Sequence, residues 1–262
     1  MTTSTLPRLA RLEWRLASRR AALVVAGLGI VMVALTHVVI PRLPSRAIEL
    51  MRLGFWLDDL AGVLVLNDLM AVYFPAFFVG LAGSLGVVLL AREEHRLEIL
   101  LAKPIRAGDF VAARSLPALA ATLLVGLVTS LAAAFALVAH GDVGGSVTPA
   151  GTFGAGLFLT AVALLLVAAM QVVFVRLRDP FVGLLVACLV WLGTCVPSAV
   201  LLYRPDFYQA NPGLADALTL ASLLWHDTAT VWLGPLALVL ALPLAWLLVR
   251  AAGALLARAD AV

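Results

Sequence analysis

Six stretches of this chain, residues 21–40, 70–91, 115–139, 151–175, 181–203 and 229–249, contain no Asp, Glu, Lys or Arg. Inside hydrocarbon every backbone N–H and C=O has to bond within its own segment, and about 20 apolar residues are needed to cross as a helix. The pattern therefore predicts an all-α integral membrane protein with six transmembrane helices, read as a single domain over residues 1–262. Composition points the same way. Charged residues make up 13% of the chain and hydrophobic residues 63%, whereas a soluble globule averages about 25% charged.

Between the first two stretches, residues 48–69 are rich in Leu and Val but carry Glu49, Arg52, Asp58, Asp59 and Asp68. A central charge costs roughly +2.5 to +3.5 kcal/mol to insert, against about −0.5 for each Leu or Val. This segment is expected to be amphipathic and to lie outside the bilayer, its end extending the second span. The span interiors then hold no ionisable residue except His37 near an end, which argues against a proton-driven pump.

Arg and Lys alternate sharply between the two sides. Residues 1–20, 92–114, 176–180 and 250–262 hold fourteen of them, and residues 41–69, 140–150 and 204–228 hold four. The rule that basic loops stay inside places both termini in the cytoplasm. The net charge of +3 reflects this orientation, and no nucleic-acid partner is expected. The first span is longer than a signal-peptide core and no small-residue cleavage site follows Ile40, so it is expected to remain in the mature protein.

Several chemistries are excluded. The only lysine, Lys103, precedes Pro104, so the chain cannot write the phosphate-binding G-x-x-x-x-G-K-[ST] loop. Cys188 and Cys195 form no C-x-x-C pair. His37, His140 and His226 fall near outer ends of spans, with Met51 and Met70 nearby in sequence, but show no metal-ligand spacing. No catalytic constellation, metal site or cofactor is expected in this chain, and Asp58, Asp59, Asp206, Asp216 and Asp227 read as solvated surface.

Two segments outside the spans carry more information. In residues 6–20, Arg8, Arg11, Arg15 and Arg19 run beside Leu9, Leu12 and Leu16 at helical spacing. The geometry suits a helix in the headgroup layer, with leucines on acyl chains and guanidiniums on phosphates; a generic basic flank is the plainer reading. Between spans two and three, residues 92–114 hold five basic and four acidic residues, so orientation alone does not account for them. Leu97, Leu100 and Leu101 form a small apolar face. Pro104 should end that helix, and Gly108-Asp109 offers a turn and N-cap for the next. Such a helix suits docking into a partner's groove; a solvated linker is the plainer reading.

The run Glu94-x-x-Leu97-Glu98-x-Leu100-Leu101-x-x-Pro104-Ile105, with Arg114 ten residues after the proline, resembles the signature of type-2 ABC exporter permeases. His95-Arg96 stand where that family commonly has Gly-Thr, Ala107 where it often has Arg, and Ala113-Arg114 where it has Gly-Lys. Arg11-x-Glu13-x-Arg15 and Arg19-Arg20 resemble the family's amphipathic elbow helix, formed here by Arg8, Arg11, Glu13, Arg15, Arg19 and Arg20. The resemblance implies a cytoplasmic coupling helix in which Glu94, Leu97, Glu98, Leu100, Leu101 and Pro104 dock on a separate ABC ATPase subunit. ATP and Mg would be held by that subunit. It further implies a second permease copy, or a homologous chain, and a place in a bacterial inner membrane.

Within the spans, Gly80, Gly83, Ser84 and Gly86 form a small-residue patch suited to close helix packing. Pro75, Pro117, Pro197, Pro235 and Pro243 would kink or cap their helices. Thr129, Ser130, Thr160 and Gln171 are expected to bond between helices. Cys188 and Cys195 read as small apolar fillers sharing one face. The competing functions are a self-sufficient secondary transporter or channel, which would need no ATPase, and a membrane scaffold or assembly factor.

Overall fold

The computed structural model describes residues 6–16, 19–54, 59–93, 106–141, 147–203, 211–213 and 230–259. These residues are almost all helical, and no strand forms among them. In chain order the helices are α1 (Leu6–Leu16), α2 (Arg19–Val39), a 3-10 turn (Ile40–Arg42), α3 (Ser45–Gly54), α4 (Leu60–Val87) and α5 (Leu89–Glu93). They continue with α6 (Ala107–His140), α7 (Pro149–Phe174), α8 (Pro180–Tyr203) and α9 (Thr230–Ala259).

Five described helical stretches are long and apolar enough to cross a membrane: Arg20–Arg42, Leu60–Glu93, Ala107–His140, Pro149–Phe174 and Val231–Arg258. The remaining sequence-predicted span, 181–203, coincides with α8, within which Pro180–Gly193 forms a shorter apolar stretch.

Local chemistry sets the ends of these helices. Asp59 caps α4, its Oδ1 accepting from the Gly62 N–H at 2.8 Å. Thr148 does the same for α7 through the Gly151 N–H at 3.0 Å, with Pro149 at the first helical position, where no donor is needed. Asp179 accepts from the Phe181 N–H at 2.8 Å at the start of α8. Helix α6 stops at Gly141, whose φ of +87° is left-handed backbone that favours glycine. Pro75, Pro117, Pro235 and Pro243 all lie inside continuous helices, where membrane packing tolerates them.

The second span differs from its expected boundary. Residues 60–69, the end of the segment read as amphipathic, continue α4 without a break, so the extension of the second span expected there takes in ten residues. Only α3 remains a separate surface helix, and it packs on the start of α4 through Met51 and Leu60.

The core lies among α4, α6 and α7, with Phe77, Leu89, Leu164, Val167 and Phe174 fully buried. Helix α9 packs on α7 and α6 through a seam of Ala241, Ala245, Val249, Ala252 and Leu256. At one end of the seam Gly234 meets the backbone of Gly154, and at the other Gly253 meets the backbone of Gly108, so a Cβ at either position would collide with main chain. Gly80 against Thr122 and Val167, and Gly83 against Ala118, realise the small-residue packing read from the sequence; beside Gly86 nothing lies within 4 Å. Helix α8 sits at the edge, joined to α4 by Trp191 against Phe74 and Phe78 at 5.7 and 6.1 Å between ring centres. The outward faces of α2 and α9, including Leu23, Leu28, Leu35, Leu236 and Val239, are exposed apolar surface, as lipid contact requires.

The buried hydroxyls do not bridge helices as expected. Thr129 and Ser130 donate to the Val125 and Gly126 carbonyls, both at 2.7 Å, and Thr160 donates to Gly156 at 2.8 Å. Each satisfies itself four residues back on its own helix. Gln171 is fully buried and neither its amide oxygen nor its nitrogen has a hydrogen-bond partner.

Candidate functional site

Polar side chains gather at the two ends of the bundle. Helices α2, α6 and α8 run away from the end that carries α1, and α4, α7 and α9 run back to it, as the contacts Gly108–Gly253, Gly154–Gly234 and His37–Asp68 require. The end at α1 holds Arg92, Arg114 and Arg250 and is called the basic end; its opposite is the far end.

At the basic end α4 breaks at Val88, whose φ of −121° is not helical. The break gives way to α5, which carries the chain to Glu93. The last carbonyls of a helix have no partner on their own ladder and attract cations through the helix dipole. Arginines serve both such termini here. Arg92 donates to the Leu177 carbonyl at 2.5 Å and reaches the Val175 carbonyl at 3.4 Å, just past the end of α7. Arg114 reaches the Val87 carbonyl at 3.4 Å, at the end of α4. Its guanidinium also lies 3.8 Å from the Glu13 carboxylate on α1 and 5.5 Å from the centre of the Phe110 ring. Across the bundle Arg250 of α9 donates to Asp109 at 3.2 Å.

These contacts flank the segment between Glu93 and Arg106. The sequence-predicted docking residues Glu94, Leu97, Glu98, Leu100, Leu101 and Pro104 lie outside the described residues. Their flanks are described. Helix α6 begins at Ala107, with Arg106 in extended conformation before it; Asp109, expected as a cap, instead lies in the first turn and pairs with Arg250.

Helix α1 forms but ends at Leu16, short of the expected 6–20, because Arg19 and Arg20 open α2, and it presents a different stripe. Leu6, Leu9, Ala10 and Glu13 are half-buried, at i, i+3, i+4 and i+7, and α1 packs against α6. Arg8, Arg11 and Arg15 point to the opposite, exposed side, and Arg20 is exposed at the start of α2. Leu12, expected with Leu9 on one apolar face, is 53% exposed. The contact with α6 takes the stripe that includes Glu13, and Leu12 is left on the exposed flank. The Arg19 side chain lies outside the described set.

At the far end three titratable side chains from three helices meet. His37 near the end of α2 bonds through Nε2 to Asp68 Oδ2 on α4 at 2.9 Å, and its ring lies 5.3 Å from that of His140, the last residue of α6. Asp68 has no exposed surface. This corrects the sequence reading: the helix of the second span carries a buried ionisable residue, where the span interiors were expected to hold none but His37. The argument against ion-driven transport from missing ionisable groups therefore lapses. Among the described residues no group of three His, Cys, Asp or Glu is arranged to hold a metal ion; His226 lies outside them. Cys188 is a free, half-buried thiol.

Comparison with protein-family models, characterised proteins and solved structures finds no match.

Proposed function

We propose that this chain is the membrane subunit of an ATP-driven exporter of the type-2 ABC permease kind. In this reading it has six spans and cytoplasmic termini in a bacterial inner membrane, and pairs with a second permease copy. It contributes no catalytic group. A separate ATPase subunit binds ATP and Mg and docks on residues 94–105, with Leu97, Leu100 and Leu101 in its groove and Glu94, Glu98 and Pro104 setting the contact, while α1 acts as the elbow at the membrane surface.

The observation that supports this reading most is the anchoring of both ends of the 94–105 segment. A lever that transmits a partner's closure must be tied to the elements it moves. Arg92 ties the outgoing end to the terminus of α7, and Arg114 joins the returning end more loosely to α4 and α1. A push that arrives at either flank is thus passed on to α7, α4 and α1.

The test is to purify the full chain in mild detergent from its native host and identify co-purifying proteins. A stoichiometric subunit with a phosphate-binding loop is expected, and Leu97→Asp/Leu101→Asp should release it while the chain stays inserted. Co-purification unchanged by that double substitution removes the docking assignment. The buried His37–Asp68 pair favours a second reading, a transporter driven by an ion gradient. Gradient-driven flux in proteoliposomes containing this chain alone would establish it in place of the first.

A further inference from the structure

The far-end cluster is a site that the proposed coupling to an ATPase does not use. Asp68 is fully buried, and the His37 side chain is 9% exposed. Beyond their mutual bond, Asp68 Oδ1 and His37 Nδ1 are buried without a hydrogen-bond partner. The surroundings are apolar: Val33, Ala71 and Ala133 pack one turn deeper, and Val65, Leu69 and Leu137 pack alongside.

A charge in such a place is costly unless it is paired. With no proton, the pair is a buried carboxylate beside a neutral ring. With two, it is a buried cation beside a neutral acid. With one, it is neutral as a whole, whichever residue carries the proton, and burial favours that state over both neighbours. His140 is exposed and its ring stands at 64° to that of His37, so the mouth of the site opens at the end of α6.

Among the described residues, the other charged groups at this end do not reach the pair. Arg42, in the turn after α2, is exposed and donates to the Val38 carbonyl at 3.1 Å. Arg46, Glu49 and Arg52 are exposed on α3, and Asp59 caps α4. Helix α7 presents no charged described residue here, only Thr148 and Thr152.

We propose that His37 and Asp68 form a proton-binding site, with His140 at its mouth, that holds the ends of α2, α4 and α6 together while it carries one proton. Loss or gain of a proton leaves a net charge in an apolar pocket, and parting of these helix ends lets water reach it. The far end of the bundle is thereby sensitive to protons whether ATP or an ion gradient drives the protein.

In an unfolded chain an imidazole releases its proton near about pH 6.5 and an aspartic acid near about 3.9. Wherever the folded chain holds a proton that the unfolded chain has released, rising pH shifts the balance toward unfolding, by up to about tenfold per pH unit for one proton. The experiment unfolds the full chain from mild detergent into denaturing detergent in weakly buffered solution at pH 8, and counts released protons with an indicator dye. About one proton per wild-type chain is expected, and none from Asp68→Asn, while His140→Gln leaves the count unchanged. Melting midpoints from pH 6 to 9 should show Asp68→Asn well below wild type at pH 6 and closing on it by pH 9. Zero protons released by the wild type, which needs no variant to fold, overturns the proposal. So does a constant offset between the two melting profiles, which marks a merely structural role, or loss of the proton in His140→Gln, which moves the site to the surface histidine.

Discussion

Arg92 is where the account of the basic end can be tested on the chain itself. Replacing it by Gln removes the cation from the end of α7 and takes away the bond to the Leu177 carbonyl at 2.5 Å, along with the two longer reaches to Val175 at 3.4 Å. One well-made hydrogen bond to a charged group is worth about 1.5–3 kcal/mol, and the contacts at 3.4 Å, near the limit of bonding, add little. Arg92 is only half-buried, so water replaces part of the loss and the net cost should be about 1–2 kcal/mol. For a chain of this size that lowers the melting midpoint by roughly 2–8 °C. Arg92→Lys keeps the charge but not the fork that spans two carbonyls, and should fall between. The assay is thermal unfolding of the purified chain in one detergent at one salt concentration. Wild-type midpoints in both variants would mean that Arg92 does not hold the terminus of α7, and the anchored-lever argument would lose one of its two ties.

Other outcomes follow from packing and from weaker charge contacts. Gly234→Ala drives a Cβ into the Gly154 backbone and should destabilise by about 1–3 kcal/mol; Gly86→Ala, with nothing within 4 Å, should stabilise by up to about 1 kcal/mol through helix propensity. Equal midpoints for the two variants would contradict the α7–α9 contact. Gln171→Leu removes a buried amide that makes no hydrogen bond and should raise stability by about 1–2 kcal/mol; a drop would show that the amide has a partner in the membrane. A double-mutant cycle on Glu13 and Arg114, both about a quarter exposed and 3.8 Å apart, should give a coupling below about 1 kcal/mol that shrinks with salt. A larger, salt-insensitive coupling would mean that α1 is clamped far more firmly than this geometry allows.

Much of the bundle can be read from the chain because lipid imposes one rule on every crossing segment. The uncharged runs overlap α2, α4, α6, α7, α8 and α9, and Arg8, Arg11 and Arg15 before them lie on α1. Where the extension of the second span begins was not legible because charges were summed over 48–69 as one unit. Asp59 belongs to the cap rather than to the membrane, and Asp68 is compensated by His37, 31 residues away. A cap signal was present, with Asp59 directly before the uninterrupted apolar run 60–66. The partner of Asp68 left no such trace, because a contact between two helices has no local spacing. The same limit applies to Thr129 and Ser130, since a hydroxyl that bonds its own backbone and one that bonds a neighbour occur in the same sequence pattern. At the basic end, Arg92 and Arg114 read as loop charges; their work on the ends of α7 and α4 depends on where those helices stop.

The central claim is that residues 94–105 rest on a separate ATP-hydrolysing subunit. The most direct measurement places a photo-crosslinking amino acid at position 97 in the full chain, irradiates membranes of the native host and identifies what is attached. The account predicts a single protein with a phosphate-binding loop, attached from position 97 but not from an exposed far-end position such as 50. Adducts only with lipid, or only with another copy of this chain, would contradict it.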